Sequence, residues 1–240
     1  MIVAIEGIDG AGKNTLTRAV VTALRAAGRD VGTLAFPRYA VAPLGPAIRA
    51  MLAGEPALAA VAASVRASAL LFALDRANAR AELDAAAAGD RVVLVDRYVA
   101  SNAAYGAARL PSEERAAFRE WVAATELVEL ALPRPDLQVL LRVPVQIARA
   151  QARSRAAADS GRVVDRYEAD DALQGRVALQ YDELARADWV APWLTVDRAD
   201  VQADVRAEAE AAPGELGDAA GPGLAATVAA AVEKVLRNLT

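Results

Sequence analysis

Apolar positions along the 240 residues follow two periods. Short, nearly continuous apolar runs of strand length lie at 2–5, 30–36, 91–98, 137–143 and 189–197. Between them, apolar residues recur every three to four positions, the period of a helix with one buried face. The first run meets a glycine-rich turn at 7–12, and a helix is expected from Lys13 to Ala27 with Gly28 as its C-cap. Pro37 ends the second run, 43–53 reads as a short helix, and Gly54 with Pro56 breaks it. Residues 58–88 keep helical spacing up to Gly89-Asp90. RVVLVDRY at 91–98 has the aliphatic content of a strand covered on both faces. Ser112, followed by Glu113 and Glu114, opens a helix to about Leu130. After 137–143 and Pro144, a basic stretch at 146–162 precedes a helix over 166–187. Pro192 puts the last strand, 189–197, at an edge or a bulge. Strands alternating with long helices predict a parallel sheet with helices on both faces. Beyond Asp200 the pattern weakens: a helical stretch at 201–211, a Gly/Pro linker at 212–223 and a terminal helix at 224–238 are expected.

Composition narrows the chemistry. With no histidine and no cysteine, Ser/His/Asp hydrolysis, thiol nucleophiles, disulfides and His/Cys metal sites are excluded. What remains is carboxylates, arginines, hydroxyls, backbone N–H groups, lysine, or a hard cation held by oxygens. A formal charge of -4 gives no support to a nucleic-acid partner bound through a basic face. No run of apolar residues has membrane-spanning length, and the sequence enters its first strand without a signal-peptide pattern, so a cytoplasmic location and no membrane partner are expected. Of 27 basic residues only Lys13 and Lys234 are lysine, and Lys13 lies in the glycine-rich turn.

That turn, Gly7-Ile8-Asp9-Gly10-Ala11-Gly12-Lys13, fits GxxxxGK between a strand and a helix. Its glycines let successive N–H groups, together with the helix N-terminus, converge on a phosphate, and Lys13 reaches the β and γ phosphates. The general pattern places Ser or Thr next, as a Mg²⁺ ligand; here Asn14 stands there and Thr15 follows. Carboxylates could therefore carry more of the metal. Asp96, at the end of 91–98, either holds Mg²⁺ or caps the next helix, and Arg97 either meets a second phosphate or solvates the surface.

Other residues suit a planar, phosphorylated acceptor. Phe36-Pro37-Arg38-Tyr39 follows the second strand, Phe72 and Arg76 are one helical turn apart, and Asn102 and Tyr105 follow the DRY segment. Phe72 could equally be core, and Arg76 could pair with Asp75 or another acid. Arg149, Arg153, Arg155 and Arg162 form either a lid over a transferring phosphoryl group or a solvated helix face. Asp165 and Glu168 fit a capping box and could also stand near the cation.

Taken together, EGIDGAGKNT, LAFPRY, LFALDRA, LVDRYVASNAAY, LPRPDLQVLL and the DxYE segment at 165–168 resemble the thymidylate kinase family, in particular its actinobacterial form. The resemblance runs from residue 1 to about 197. It implies an α/β, three-layer αβα P-loop fold with a five-stranded parallel sheet and a small arginine-rich lid at about 149–165. Residues 1–200 would form that domain and 201–240 a C-terminal extension. It implies transfer of the γ-phosphoryl group of ATP to dTMP with Mg²⁺, by a homodimer. On that resemblance, Gly7, Gly10, Ala11, Gly12, Lys13, Asn14 and Thr15 hold the ATP phosphates. Asp9, Phe36, Tyr39, Phe72, Arg76, Arg97, Asn102, Tyr105 and Tyr167 form the dTMP site. Asp9, Asp96, Asp165 and Glu168 surround the metal, and Lys13, Arg97, Asp9 and the lid residue Arg153 carry the catalysis. A kinase of another nucleoside monophosphate or of a deoxynucleoside, or a nucleotide-dependent regulatory module, are the competing functions.

Overall fold

In a computed structural model of the chain, residues 1–158, Tyr167, 170–197 and 223–239 are described. Five strands form: β1 (Ile2–Glu6), β2 (Val31–Ala35), β3 (Val92–Asp96), β4 (Leu137–Arg142) and β5 (Trp193–Asp197). They pair in parallel in the order β2-β3-β1-β4-β5. Every residue of β1 is buried, as is β3 up to Asp96 and β4 up to Arg142, as expected for strands covered by helices on both faces. The edge strands β2 and β5 are only partly buried. The register sets Ile5 beside Asp96, and Ala35 beside Asp96 on the other side, so three strands end together at one rim.

The helices are α1 (Lys13–Ala26), α2 (Leu44–Ala53), α3 (Ala59–Ala63), α4 (Val65–Ala77), α5 (Arg80–Ala88), α6 (Val99–Ala107), α7 (Ser112–Ala123), α8 (Val145–Ala158), α9 (Asp171–Arg186) and α10 (Leu224–Leu239). The helical stretch expected over 58–88 is divided. Ser64 is extended and its hydroxyl accepts from Ala67 N (3.2 Å), which ends α3 and caps α4. α6 escaped the periodicity because all its residues except Tyr105 are buried, leaving no polar face to set against the apolar one. The helix from Ser112 begins one residue inside its Pro111 cap and passes at Ala124–Glu129 into a π-helical turn. The helix expected from 166 is described as continuous from Asp171, where Asp170 accepts from Leu173 N at 2.9 Å. The last strand starts only at Trp193, since Asp188 and Val190 adopt positive φ (44° and 61°) before Pro192.

The terminal helix, α10, packs on α1. Val228 and Val232 are fully buried, and Arg29 donates to both carboxylate oxygens of Glu233 at 2.7 and 2.6 Å. The helical stretch and linker expected over 201–223 lie outside the described residues, apart from Gly223. Among the described residues no single helix is long and apolar enough to cross a membrane.

Candidate active site

The loop between β1 and α1 curls tightly over the strand ends. Gly7, Gly10 and Gly12 take φ of 145°, 80° and 99°. At Gly10 the close approach is decisive: a Cβ there would stand 2.1 Å from the Ala148 carbonyl oxygen of α8. Lys13 opens α1 and is buried, with Nζ donating to Gly7 O (3.0 Å) and Ile8 O (2.9 Å). Burial and the nearby Arg97 charge lower its pKa to about 8, against the pull of Asp96, Asp9 and Glu6. Asn14 and Thr15, the next residues of α1, are exposed.

β3 ends in a bend that aims a side chain. Arg97 adopts φ 65°, an uncommon conformation for a non-glycine residue, held because its N–H donates to Ile5 O (3.1 Å) and Tyr98 N–H donates to Glu6 Oε1 (2.8 Å). The bend carries the guanidinium across the β1 loop, where Nη2 donates to Asp9 Oδ1. Tyr105 donates to Asp9 Oδ2 at 2.7 Å and Gln174 Nε2 to the same oxygen at 3.0 Å, while Asp9 N donates back to Gln174 Oε1 at 3.1 Å. Burial works against Asp9's charge, but Arg97, Lys13 and these two hydrogen bonds outweigh it and hold its pKa at about 2. Burial pushes the Tyr105 phenol well above its usual value, so it remains a neutral donor. The cluster thus offers a fixed guanidinium and a fixed carboxylate beside the phosphate loop.

Next to this cluster lies a cavity of about 80 Å³. All nine residues expected to form the acceptor site, from Asp9 to Tyr167, line it, with Pro37, Leu52 and Ser101. Phe72 is half-buried, and Arg76 and Asn102 are buried. Arg76 pairs with neither Asp75 nor a surface acid. Its Nε and Nη2 donate to Glu126 Oε2 and Oε1 at 2.5 and 2.7 Å, in a pair whose side chains are 3% and 1% exposed. Asp75 instead accepts from Arg38 N at 2.8 Å. Asn102 Nδ2 donates to Glu126 Oε1 and to Ala69 O, both at 2.8 Å. Tyr167 stacks near Tyr105 (ring centroids 6.1 Å apart) and accepts from Arg109 Nη1 at 2.7 Å.

Four residues of this arrangement were not singled out by sequence: Glu6, Arg109, Glu126 and Gln174. Glu6 ends an all-apolar strand and accepts from Ser101 (2.6 Å) and Tyr181 (2.9 Å); an acid in such a run was its visible signal. Glu126 sits in the π-helical turn, where neither helical period nor spacing advertises it.

The donors for a cation are oxygens. Asp96 Oδ1 is buried and makes no hydrogen bond, and Asp96 lines a groove of about 570 Å³ with Asn14 and Thr17 of α1. An orphaned carboxylate oxygen beside a phosphate loop suits a hard divalent ion. Among the described residues no group of three or more acids gathers as a ready-made metal centre. Asp165, Glu168 and Arg162 lie outside the described residues, and of Arg155 only its place in α8 is described. Arg153 is exposed on α8, and Arg149 pairs with Asp171 at 2.7 Å.

A family model described as thymidylate kinase matches residues 5–203. The thymidylate kinase of Mycobacterium tuberculosis (strain ATCC 25618 / H37Rv) is 48% identical over 196 residues, 82% of this chain and 91% of that protein. That of Bordetella pertussis is 34% identical over 193 residues, 77% of this chain and 81% of that protein. The fold is also similar to a solved thymidylate kinase structure from Candida albicans, with a TM-score of 0.62 at 19% identity, covering 99% of this chain and 91% of the other. With a matched family model spanning most of the chain and a relative 48% identical over nearly its whole length, the chain belongs to the thymidylate kinase family.

Proposed function

We propose that the chain transfers the γ-phosphoryl group of ATP directly to the phosphate of dTMP, giving dTDP and ADP. One observation carries the reading. A cavity lined by an aromatic ring, an arginine and an amide opens beside an Arg97–Asp9 pair, and that pair abuts a phosphate loop. Base, acceptor phosphate and donor phosphates then fall in line.

Gly7, Gly10, Ala11, Gly12, Asn14 and Thr15 cradle the ATP phosphates with backbone N–H groups, and Lys13 follows the charge of the transferring group. Arg97 and Tyr39 hold the dTMP phosphate, and Asp9 keeps Arg97 in place and meets the acceptor. Phe72 stacks on thymine, Arg76 and Asn102 meet its polar edge, Tyr105 crowds the sugar where a ribonucleotide has its 2′-hydroxyl, and Phe36 and Tyr167 close the walls. The attacking atom is already a phosphate oxygen anion, so no strong base is required, consistent with a chain that lacks histidine. Arg153, helped by Arg149, Arg155 and Arg162, covers the reacting centre, adds positive charge and keeps out water. Asp96 and Asp9, with Asp165 and Glu168, are the residues that would hold Mg²⁺, which neutralises phosphate charge when bound. The enzyme works as a homodimer in the cytoplasm, without a nucleic-acid or membrane partner.

The deciding experiment is a coupled assay of ADP release with and without dTMP, extended to dUMP, dCMP, AMP and thymidine. Release that depends on dTMP, and prefers it, is expected. A greater rate with another acceptor would reassign the substrate, and release indifferent to every acceptor would leave a nucleotide-dependent regulatory module.

A further inference from the structure

Glu126 does not line the acceptor cavity, yet both polar groups that meet the base edge are fastened to it. Its Oε2 takes Arg76 Nε, and its Oε1 takes both Arg76 Nη2 and Asn102 Nδ2. Two consequences follow from valence alone. The Asn102 amide has two N–H groups, and one faces Glu126 while the other faces the Ala69 carbonyl. Turning the amide over would set its oxygen against two acceptors, one of them charged, so its orientation is dictated by chemistry. The amide atom left for a ligand is Oδ1, an acceptor. Likewise, Arg76 has committed its Nε–H and one N–H of Nη2, which leaves only donors, both N–H groups of Nη1 and the second of Nη2, to meet a ligand.

We propose that Glu126 is a positioning residue that sets the polarity of the base-reading edge, and thereby selects an imide edge over a cytosine edge. The proposal rests on the acceptor assignment above. An acceptor beside a donor complements the N3–H and C4=O of thymine or uracil. Cytosine presents a lone pair at N3 and an amino group at C4, so it meets acceptor with acceptor and donor with donor. Buried polar groups left unpaired in this way give strong discrimination. With a neutral glutamine at 126, the side chain can offer an N–H, and only the Ala69 carbonyl is then left to oppose reversal of Asn102.

The test is steady-state kinetics of the full chain with dTMP and dCMP as acceptors, for wild type, Glu126→Gln and Glu126→Asp, with circular dichroism to confirm folding. For Glu126→Gln, the KM for dTMP is expected to rise about tenfold or more, with kcat little changed and the dTMP-over-dCMP ratio of kcat/KM falling by about tenfold or more. Glu126→Asp keeps the counter-charge for Arg76 but lacks the reach to hold Asn102 as well. It should fold and lose part of the discrimination, and it decides the matter where the Gln variant does not fold. Folded variants whose KM and acceptor ratio stay within about twofold of wild type, or which lose kcat alone, overturn the role of Glu126. A wild-type chain that does not phosphorylate dTMP overturns the acceptor assignment itself, before any variant is read.

Discussion

Lys13 and Asp9 hold opposite charges in the same small volume, yet Asp9 is shifted toward its charged form while burial and Arg97 shift Lys13 toward its neutral one. Asp9, with a pKa of about 2, stays ionised across the working range. Its contribution to stability is present above pH 3.8 and is lost as the pH falls through about 2. Lys13 behaves oppositely. Its depressed pKa means that the folded chain holds its proton less tightly than the unfolded chain does. Stability therefore gains from this group as the pH rises from about 8 to 10.5. Phosphate bound at the loop restores the ammonium form, so nucleotide binding at pH 8.5–9 (about half a unit to one unit above that pKa) should take up protons. Calorimetry in buffers of different ionisation enthalpy measures this, and no uptake would remove Lys13 from the phosphate site. Lys13→Ala should stay folded by circular dichroism while kcat/KM falls by about 10²–10³-fold, and near-normal dTDP formation would sink its role. The glycines and Lys13 were legible because the motif is local. Gln174 was not, since only the fold brings it across 165 residues to Asp9.

At the scale of elements, α6 and the π-helical turn matter most. α6 carries Asn102 and Tyr105, and it packs against α7 through Gly106, where a Cβ would stand 2.2 Å from the Phe118 ring. Gly106→Ala should overpack this contact and destabilise the chain by about 1–3 kcal/mol in urea unfolding, despite alanine's better helix propensity. An unchanged midpoint would mean that α7 can move away freely. A second element, α10, is held chiefly by apolar burial. Val232→Ala should cost about 2 kcal/mol, whereas the Arg29–Glu233 pair lies on the surface and its removal should change stability little. Thermal melts of Val232→Ala and Glu233→Ala, compared with wild type, would reveal the opposite order if the ion pair were the anchor. Strands were legible as short continuous apolar runs, and amphipathic helices because a half-buried face leaves a period. α6 was not, because a fully buried helix leaves none.

For the whole molecule, the proposed roles make acceptor binding and closure by Arg153 separable. The acceptor cavity draws its walls from the phosphate loop, the segments that follow β2 and β3, α2, α4, α6 and Tyr167, while Arg153 stands on α8, the helix whose Ala148 backbone meets Gly10. Saturating dTMP at about 100 times its Kd should stabilise the fold by about 2.7 kcal/mol, seen as a thermal shift. Arg153→Ala should retain that shift while losing kcat, and Arg76→Ala should lose the shift; a shift lost with Arg153 would place that residue in acceptor binding. By itself, the sequence determined the alternating α/β order, the phosphate loop, the exclusion of histidine and thiol chemistry, and which residue types could meet a phosphorylated pyrimidine. Those properties are written in period, spacing and composition, which need no knowledge of distant neighbours. Only the tertiary structure decided that Arg76 faces a buried Glu126, that Asn102 presents its oxygen, that Asp9 is clasped by Arg97, Tyr105 and Gln174, and that Asp96 keeps a carboxylate oxygen unpaired. Hydrogen-bond partners across 24 to 165 residues are chosen by the packing of helices over a sheet, and a one-dimensional pattern carries no record of that choice.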